Sequence, residues 1–127
     1  MGIEAFGETL EELFVHAACA LRTVVLGEVQ GEAERSEAVE LRADGPEALM
    51  VDWLSEVLFL LESRGLCPLE FHIESIDDEA RLKASVKGVD FRPGEHSIER
   101  EVKAVTWHRL EVAPHEQGWR AVVYLDL

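Results

Sequence analysis

The first half of this chain contains two helical patterns, each preceded by a strand pattern, and strand patterns fill most of the rest. The first helical pattern lies within residues 10–25, and the second, which is more apolar, lies within residues 49–61. In both, apolar residues recur at i, i+3, i+4 and i+7, which places them on one face of a helix. From residue 71 onward apolar and polar residues mainly alternate, as in strands with one buried face. This order predicts an α+β fold in which two helices pack on a mostly antiparallel β-sheet.

The residues that flank the helical patterns are those that commonly begin and end helices. Thr9 and Glu12 have the T-x-x-E spacing of a capping box, whose side chains accept hydrogen bonds from free amides of the first turn. Pro46 suits the first turn of the second helix, where no amide donor is needed. Gly27 and Gly65 follow the two patterns and should end the helices.

The strand predictions rest on alternation and on the turn-forming residues between the runs. They are Ile3–Phe6, one or two strands within 28–43, a hairpin of 71–76 with 80–89, a long strand 101–112, and a last strand 119–127. No internal repeat or linker interrupts this order, so we expect one domain, 1–127.

The composition fits a single globular domain in the cytoplasm. The chain has 127 residues, 47% hydrophobic and 30% charged, which suffices for one core. Its longest apolar run, Val57–Leu61, is too short to span a bilayer, and the N-terminus lacks a signal-peptide pattern. The formal net charge of −14 disfavours direct binding of nucleic acid, whose phosphates recruit lysine and arginine. Such acidity suits a cation, a basic partner protein or solubility alone.

The two cysteines are expected to be free thiols without a metal or redox role, because neither belongs to a C-x-x-C pair. Cys19 lies in the first helical pattern and should be buried. Cys67 precedes Pro68 and should lie in a loop.

The predicted long strand 101–112 carries a lysine and a histidine of interest. Strict alternation would place Lys103 on a mixed face, where it could pair with an acidic neighbour or contact a phosphate. The same alternation would place His108 among apolar residues, as a hydrogen-bonded core histidine. No pattern in the chain resembles a nucleophile with its base, or a phosphate-binding loop.

Acidic residues on the second helix form a possible second feature of a site. Asp52, Ser55 and Glu56 lie within about one turn of each other. They could be the solvated stripe of an amphipathic helix, or an acidic cluster facing a metal or a basic partner.

The end of the chain is a candidate metal site. The apolar run that starts at Trp119 leads directly to the side chain of Asp126 and the α-carboxylate of Leu127. At a separation of roughly 6 Å, two such charges repel by about 3 kcal/mol at an effective dielectric near 20. A hard cation such as Ca²⁺ or Mg²⁺ would relieve this repulsion. Alternatively, Asp126 ends an edge strand in water.

Four segments together resemble the archease family. They are G-I-x-A-x-G-x-T-L-E-E-L-F at Gly2–Phe14, V-D-W-L-S-E-V-L at Val51–Leu58, P-G-E-H followed by E-V-K-A-V-T-W-H within Pro93–His108, and G-W-R-A-V-V-Y-L-D-L at Gly118–Leu127. They cover nearly the whole chain in order.

The resemblance implies an accessory protein rather than an enzyme. Archeases assist the RtcB-type RNA ligase, which joins RNA ends in tRNA splicing or repair, by promoting its guanylylation by GTP and its multiple turnover. The implied metal ligands are Asp126 and Leu127, and the implied metal is a divalent ion such as Ca²⁺. The family's functional lysine falls on Lys103. We include Asp52, Glu56 and His108 as expected partner contacts.

One part of the family pattern is expected to be missing. In archeases an H-T-A-D motif, whose Asp is a metal ligand, lies immediately before the position of Met1. We therefore expect an incomplete, weakly binding metal site in the chain as numbered.

Two other functions remain open at this point. A Ca²⁺-binding or chaperone-like protein without a ligase partner would also explain the acidity and the paired carboxylates. A small hydrolase could use Asp52 and Glu56 as an acid and base pair, although such helical carboxylates are usually only solvated.

Overall fold

The computed structural model describes residues 1–127 and contains two helices and seven strands. In chain order they are β1 (Gly2–Gly7), α1 (Leu10–Leu26), β2 (Arg35–Arg42), α2 (Pro46–Arg64), β3 (Leu66–Ile76), β4 (Arg81–Asp90), β5 (Ala104–Val105), β6 (Glu111–His115) and β7 (Gly118–Asp126). The predicted α+β class is confirmed.

The strands form two antiparallel sheets rather than one. One sheet has the order β2-β4-β3, and in the other β7 pairs with β1, β5 and β6. Both β1 and β6 pair with the same stretch of β7, so they lie on opposite sides of it. The last strand is therefore central and not an edge strand.

Both helices begin and end as the sequence predicts. The hydroxyl of Thr9 accepts a hydrogen bond from the amide of Glu12, and the Glu12 carboxylate accepts one from the amide of Glu8. Gly27 follows α1, and Gly65 ends α2 in the left-handed conformation that favours glycine. Pro46 takes the first position of α2.

The helices join the two sheets around one core. Helix α1 packs against β1 of one sheet and β3 of the other. Trp53, the largest fully buried side chain, donates a 2.9 Å hydrogen bond from Nε1 to the carbonyl oxygen of Phe14, which ties α2 to α1. Every charged side chain stays at least partly exposed.

The predicted long strand 101–112 is wrong. Only β5 and β6 are formed within it, and a turn separates them. Five residues, 106–110, lie beside only two residues of β7, Val123 and Tyr124. The chain can turn here because Arg109 adopts a positive φ of 51° and the amide of Leu110 bonds back to the carbonyl oxygen of Trp107.

Both cysteines are free, as expected, but their locations differ from the prediction. Cys67 lies in β3 and is fully buried, because β3 begins before Pro68 instead of after it. Cys19 is only partly buried at the edge of the α1 apolar face. No helix has both the length and the apolar composition needed to cross a bilayer.

Candidate functional site

The structure brings Lys103 next to the end of the chain. The backbone amide of Lys103 donates a 2.7 Å hydrogen bond to the carbonyl oxygen of Asp126, and Ala104 pairs with Asp126 in the sheet. The side chains of Lys103 and Asp126 are exposed, and Leu127 is 42% exposed. The β5–β7 pairing therefore groups three of the predicted site residues at one corner of the sheet.

The charged groups at this corner have no ionic partner within the chain. No carboxylate lies within 4.0 Å of the Lys103 ammonium, and no cation lies within 4.0 Å of the Asp126 carboxylate. The ion pair with an acidic neighbour, one of the two possible roles of Lys103, is therefore not formed within the chain. These groups are available to a ligand or a partner.

The N-terminus lies beside the same corner. The α-amino group of Met1 is 3.3 Å from the carbonyl oxygen of Leu125, on the β1 side of β7. In the register of these strands Gly2 faces Tyr124. A residue that continued β1 upstream of Met1 would therefore face Asp126.

Within the chain, the corner offers part of a metal site. Carboxylate oxygens, as supplied by Asp126 and the terminal carboxylate, are the ligands that Ca²⁺ prefers. No group of three or more histidine, cysteine, aspartate or glutamate side chains is placed to hold a metal ion. The donor chemistry fits a hard cation, but these donors alone fall short of the six to eight oxygens that Ca²⁺ takes.

His108 is exposed, so its predicted core position is wrong. It lies at the turn between β5 and β6, where the alternation of a strand no longer holds. Its ring packs edge-on against Tyr124, with ring centroids 5.9 Å apart. The imidazole is thus held near the corner and remains open to solvent.

Asp52 and Glu56 lie on α2, which packs against β5 and β6. Asp52 is exposed and Glu56 is partly buried. Neither makes a hydrogen bond or an ion pair with Lys103, His108 or Asp126. The structure therefore places them on a neighbouring element without joining them to the corner.

A different charge cluster occupies the outer face of the sheet. Arg120 forms ion pairs with Glu4 of β1 and Glu111 of β6, and its hydrogen bond to Glu4 raises the pKa of Arg120. Since these three side chains come from three adjacent strands, their ion pairs connect the strands. Each of the three charges is paired within the cluster. Lys103 has no such arrangement.

A large cleft lies at the other end of β1 and β7. Its volume is about 950 Å³, and its lining includes Phe6, His16, His115 and Trp119. None of the predicted site residues lines it. We therefore centre the candidate site on the corner rather than on this cleft.

The sequence patterns did not identify Trp107 as a site residue. Its side chain is 60% exposed, more than any other large apolar residue of the chain. The pattern of residues 101–112 hid this feature, because a tryptophan on one face of a strand usually indicates packing. Among the sequence features considered, only the E-V-K-A-V-T-W-H segment includes Trp107.

Comparison with known proteins gives a consistent result over the whole chain. A sequence model of the Archease protein family matches residues 1–127. The protein archease of Methanosarcina mazei is 40% identical over 128 residues, covering 97% of this chain and 86% of its own length. The protein archease of Thermococcus kodakarensis is 32% identical over 130 residues, covering all of this chain and 92% of its own.

Two solved structures share the fold. The solution structure of protein 1598 of Methanobacterium thermoautotrophicum has a TM-score of 0.86 and 32% identity, covering 99% of this chain and 91% of its own. A crystal structure from Thermotoga maritima, described as an archease and possible chaperone, has a TM-score of 0.66. At 21% identity, with coverage of 100% and 90%, it supports the fold alone.

Proposed function

The chain belongs to the archease family, and from this membership we propose that it is an accessory protein that activates an RtcB-type RNA ligase. In this role it promotes guanylylation of the ligase by GTP and allows each ligase molecule to act repeatedly in tRNA splicing or RNA repair. It does not join RNA itself. The proposal includes a cytoplasmic location.

The observation that carries the proposal is the position of Lys103 beside the chain end. Its amide is bonded to Asp126, and neither side chain has an ionic partner. An ammonium and a carboxylate that are both unpaired within the chain can serve charged groups of a partner that change during guanylylation. Such positioned charges act most strongly where water is excluded.

The overall charge of the chain favours a protein partner over RNA. At −14, its surface repels phosphate backbones and attracts a basic protein surface. Within this proposal His108, Asp52 and Glu56 make further contacts with the ligase. The exposure of His108 and Asp52 is compatible with that role.

We also propose that Asp126 and the Leu127 carboxylate hold a divalent metal ion, with Ca²⁺ as the expected ion. When bound, the ion neutralises the two carboxylates and fixes the chain end. In a chain extended upstream, the residue before Met1 would add an oxygen ligand if it were an aspartate, because the β1–β7 register places it opposite Asp126.

Multiple turnover by the ligase tests this function. Ligated RNA per ligase molecule is measured with GTP and Mn²⁺, without this protein, with the 127-residue chain, and with a form extended upstream by H-T-A-D. We expect the extended form to raise the yield above one product per ligase and the shorter chain to do so weakly. A yield that stays at single turnover with both forms rules the function out.

A chaperone-like function is the second candidate, because the Thermotoga maritima protein of similar fold is described as a possible chaperone. The two functions differ in the number of partners. Affinity capture from cell extract should retain one RNA ligase if the chain is an activator. Many unrelated unfolded proteins, retained without a ligase, would favour the chaperone-like function.

A further inference from the structure

The most exposed large apolar side chain of the molecule lies in a hydrogen-bonded turn close to the proposed site. Trp107 is 60% exposed, although tryptophan is a residue that folding normally covers. We define the Trp107 turn as residues 106–110, which connect β5 to β6. This turn leaves β7 three residues after Lys103, so it borders the corner that holds Lys103 and Asp126.

Hydrogen bonds hold the turn against the central strand. The amide and the hydroxyl of Thr106 each donate a 3.0 Å hydrogen bond to the carbonyl oxygen of Tyr124. The Thr106 hydroxyl also accepts a hydrogen bond from the amide of His108, at 3.3 Å. The backbone on both sides of Trp107 is thus fixed, so little backbone conformational entropy is lost when the indole binds a partner.

The turn also carries strain and an unpaired charge. Arg109 has a φ of 51°, a conformation that non-glycine residues avoid and that clusters at functional sites. Its side chain is exposed, and no carboxylate lies within 4.0 Å of it. The guanidinium of Arg109 is therefore free to pair with a carboxylate of a partner.

From these observations, and resting on the proposed function, we propose that Trp107 is the docking anchor of the chain on the protein surface of its ligase partner. The indole enters an apolar pocket of the ligase, and Arg109 pairs with a carboxylate at the pocket rim. Tryptophan and arginine are the residues that most often dominate protein interfaces when surrounding contacts exclude water.

In this proposal Trp107 and Lys103 have different roles. Trp107 supplies affinity for the ligase, while Lys103 supplies the effect on the ligase once bound. A phosphate or an RNA base could also stack on an exposed indole. The acidity of the chain makes the protein surface the favoured occupant, and RNA becomes an outcome of the test.

Binding to purified, RNA-free ligase tests the anchor. The dissociation constant is measured calorimetrically for the unchanged chain and for Trp107→Ala, Trp107→Phe and Phe6→Ala. We expect Trp107→Ala to raise it about 30-fold, the scale of a hot-spot residue at tenfold per 1.4 kcal/mol. Trp107→Phe should have an intermediate effect. Phe6 is a matched control because it is 46% exposed at the opposite end of the sheet, and its replacement should change the constant less than twofold.

The outcomes distinguish a failure of the proposed Trp107 anchor from a failure of the proposed activator function. Equal binding by the unchanged chain and Trp107→Ala would overturn the anchor and leave the activator function standing. No binding by the unchanged chain at any concentration would overturn both. If Trp107→Ala weakens binding only when the ligase carries RNA, the indole contacts RNA and the protein pocket is wrong. A second readout, the maximal ligation at saturating Trp107→Ala, should equal that of the unchanged chain.

Discussion

The backbone amide of Lys103 donates a 2.7 Å hydrogen bond to the carbonyl oxygen of Asp126. This bond joins the segment before β5 to the last residues of the chain, which are also bonded to Met1 on the other side of β7. Three separate parts of the sequence therefore meet at one corner. An extension or a substitution in any one of these parts should therefore alter the structure of the other two.

The indole of Trp53 is the central contact between the helices. Trp53→Ala should lower the free energy of unfolding by about 3–5 kcal/mol, since it leaves a large cavity and removes the bond to Phe14. Urea unfolding measures the change. Phe59→Ala on the same helix is the control, because Phe59 is 44% exposed and its loss should cost less than about 1 kcal/mol. Similar losses for both variants would contradict this view of the core.

Gly88 on β4 lies directly against the backbone of Cys67 on β3. A methyl group there would overlap the carbonyl oxygen of Cys67, which belongs to the backbone and cannot move aside easily. Gly88→Ala should destabilise the protein by about 1–3 kcal/mol or more. At Gly45 the nearest atom would be 3.6 Å away, so Gly45→Ala should cost less than about 1 kcal/mol. Thermal unfolding of the two variants compares them, and a harmless Gly88→Ala would be inconsistent with the strand spacing.

The two thiols should react at very different rates. Burial raises the pKa of the Cys67 thiol, whereas Cys19 is partly exposed. A thiol whose native pKa is raised contributes to the free energy of unfolding at pH values below its unfolded pKa of about 8.5. This contribution is lost as the pH rises above that value and through the raised native pKa. Alkylation at pH 8 with peptide mapping should label Cys19 first in the native protein. Equal rates should appear only after unfolding, and early labelling of Cys67 in folded protein would refute its burial.

Asp77 stabilises the turn between β3 and β4. The backbone amide of Arg81 donates a hydrogen bond to it, with further bonds from the Arg81 side chain and the Glu79 amide, and together they hold the pKa of Asp77 below its usual value. A lowered native pKa gives stability above the unfolded pKa of about 3.9 that is lost as the pH falls through the native pKa. Asp77→Asn should therefore be less stable than the unchanged chain at pH 7 and converge with it in acid. Urea midpoints from pH 7 to pH 2 show whether it does.

Local patterns in the sequence predicted the parts of the fold that depend on neighbouring residues. The residues that begin and end the helices act within one helical turn, so their roles could be identified from spacing. They are Thr9, Pro46, Gly27 and Gly65. The turn within the predicted strand 101–112 was missed because it contains no glycine or proline. Arg109 takes the positive φ instead, and a bond from Thr106 to Tyr124 stabilises the excursion from β7.

The candidate site was only partly predictable for the same reason. Residue types suggested Lys103 and Asp126 separately, but their contact depends on the register of β5 on β7. The exposure of His108 and Trp107 depends on the turn between β5 and β6. Long-range pairing of this kind is not contained in any single segment.

We propose that the corner formed by Lys103 and the chain end is the part of the molecule that activates the ligase. The direct measurement is ligated RNA per ligase molecule, with the H-T-A-D-extended form carrying Lys103→Ala, a deletion of Leu127, or Lys83→Ala. Lys83 is the control because its side chain is also exposed and unpaired, but it lies on β4 of the other sheet. We expect the first two variants to fall to single turnover with melting temperatures barely changed, and Lys83→Ala to remain fully active. Full activity of Lys103→Ala and of the Leu127 deletion would contradict the account.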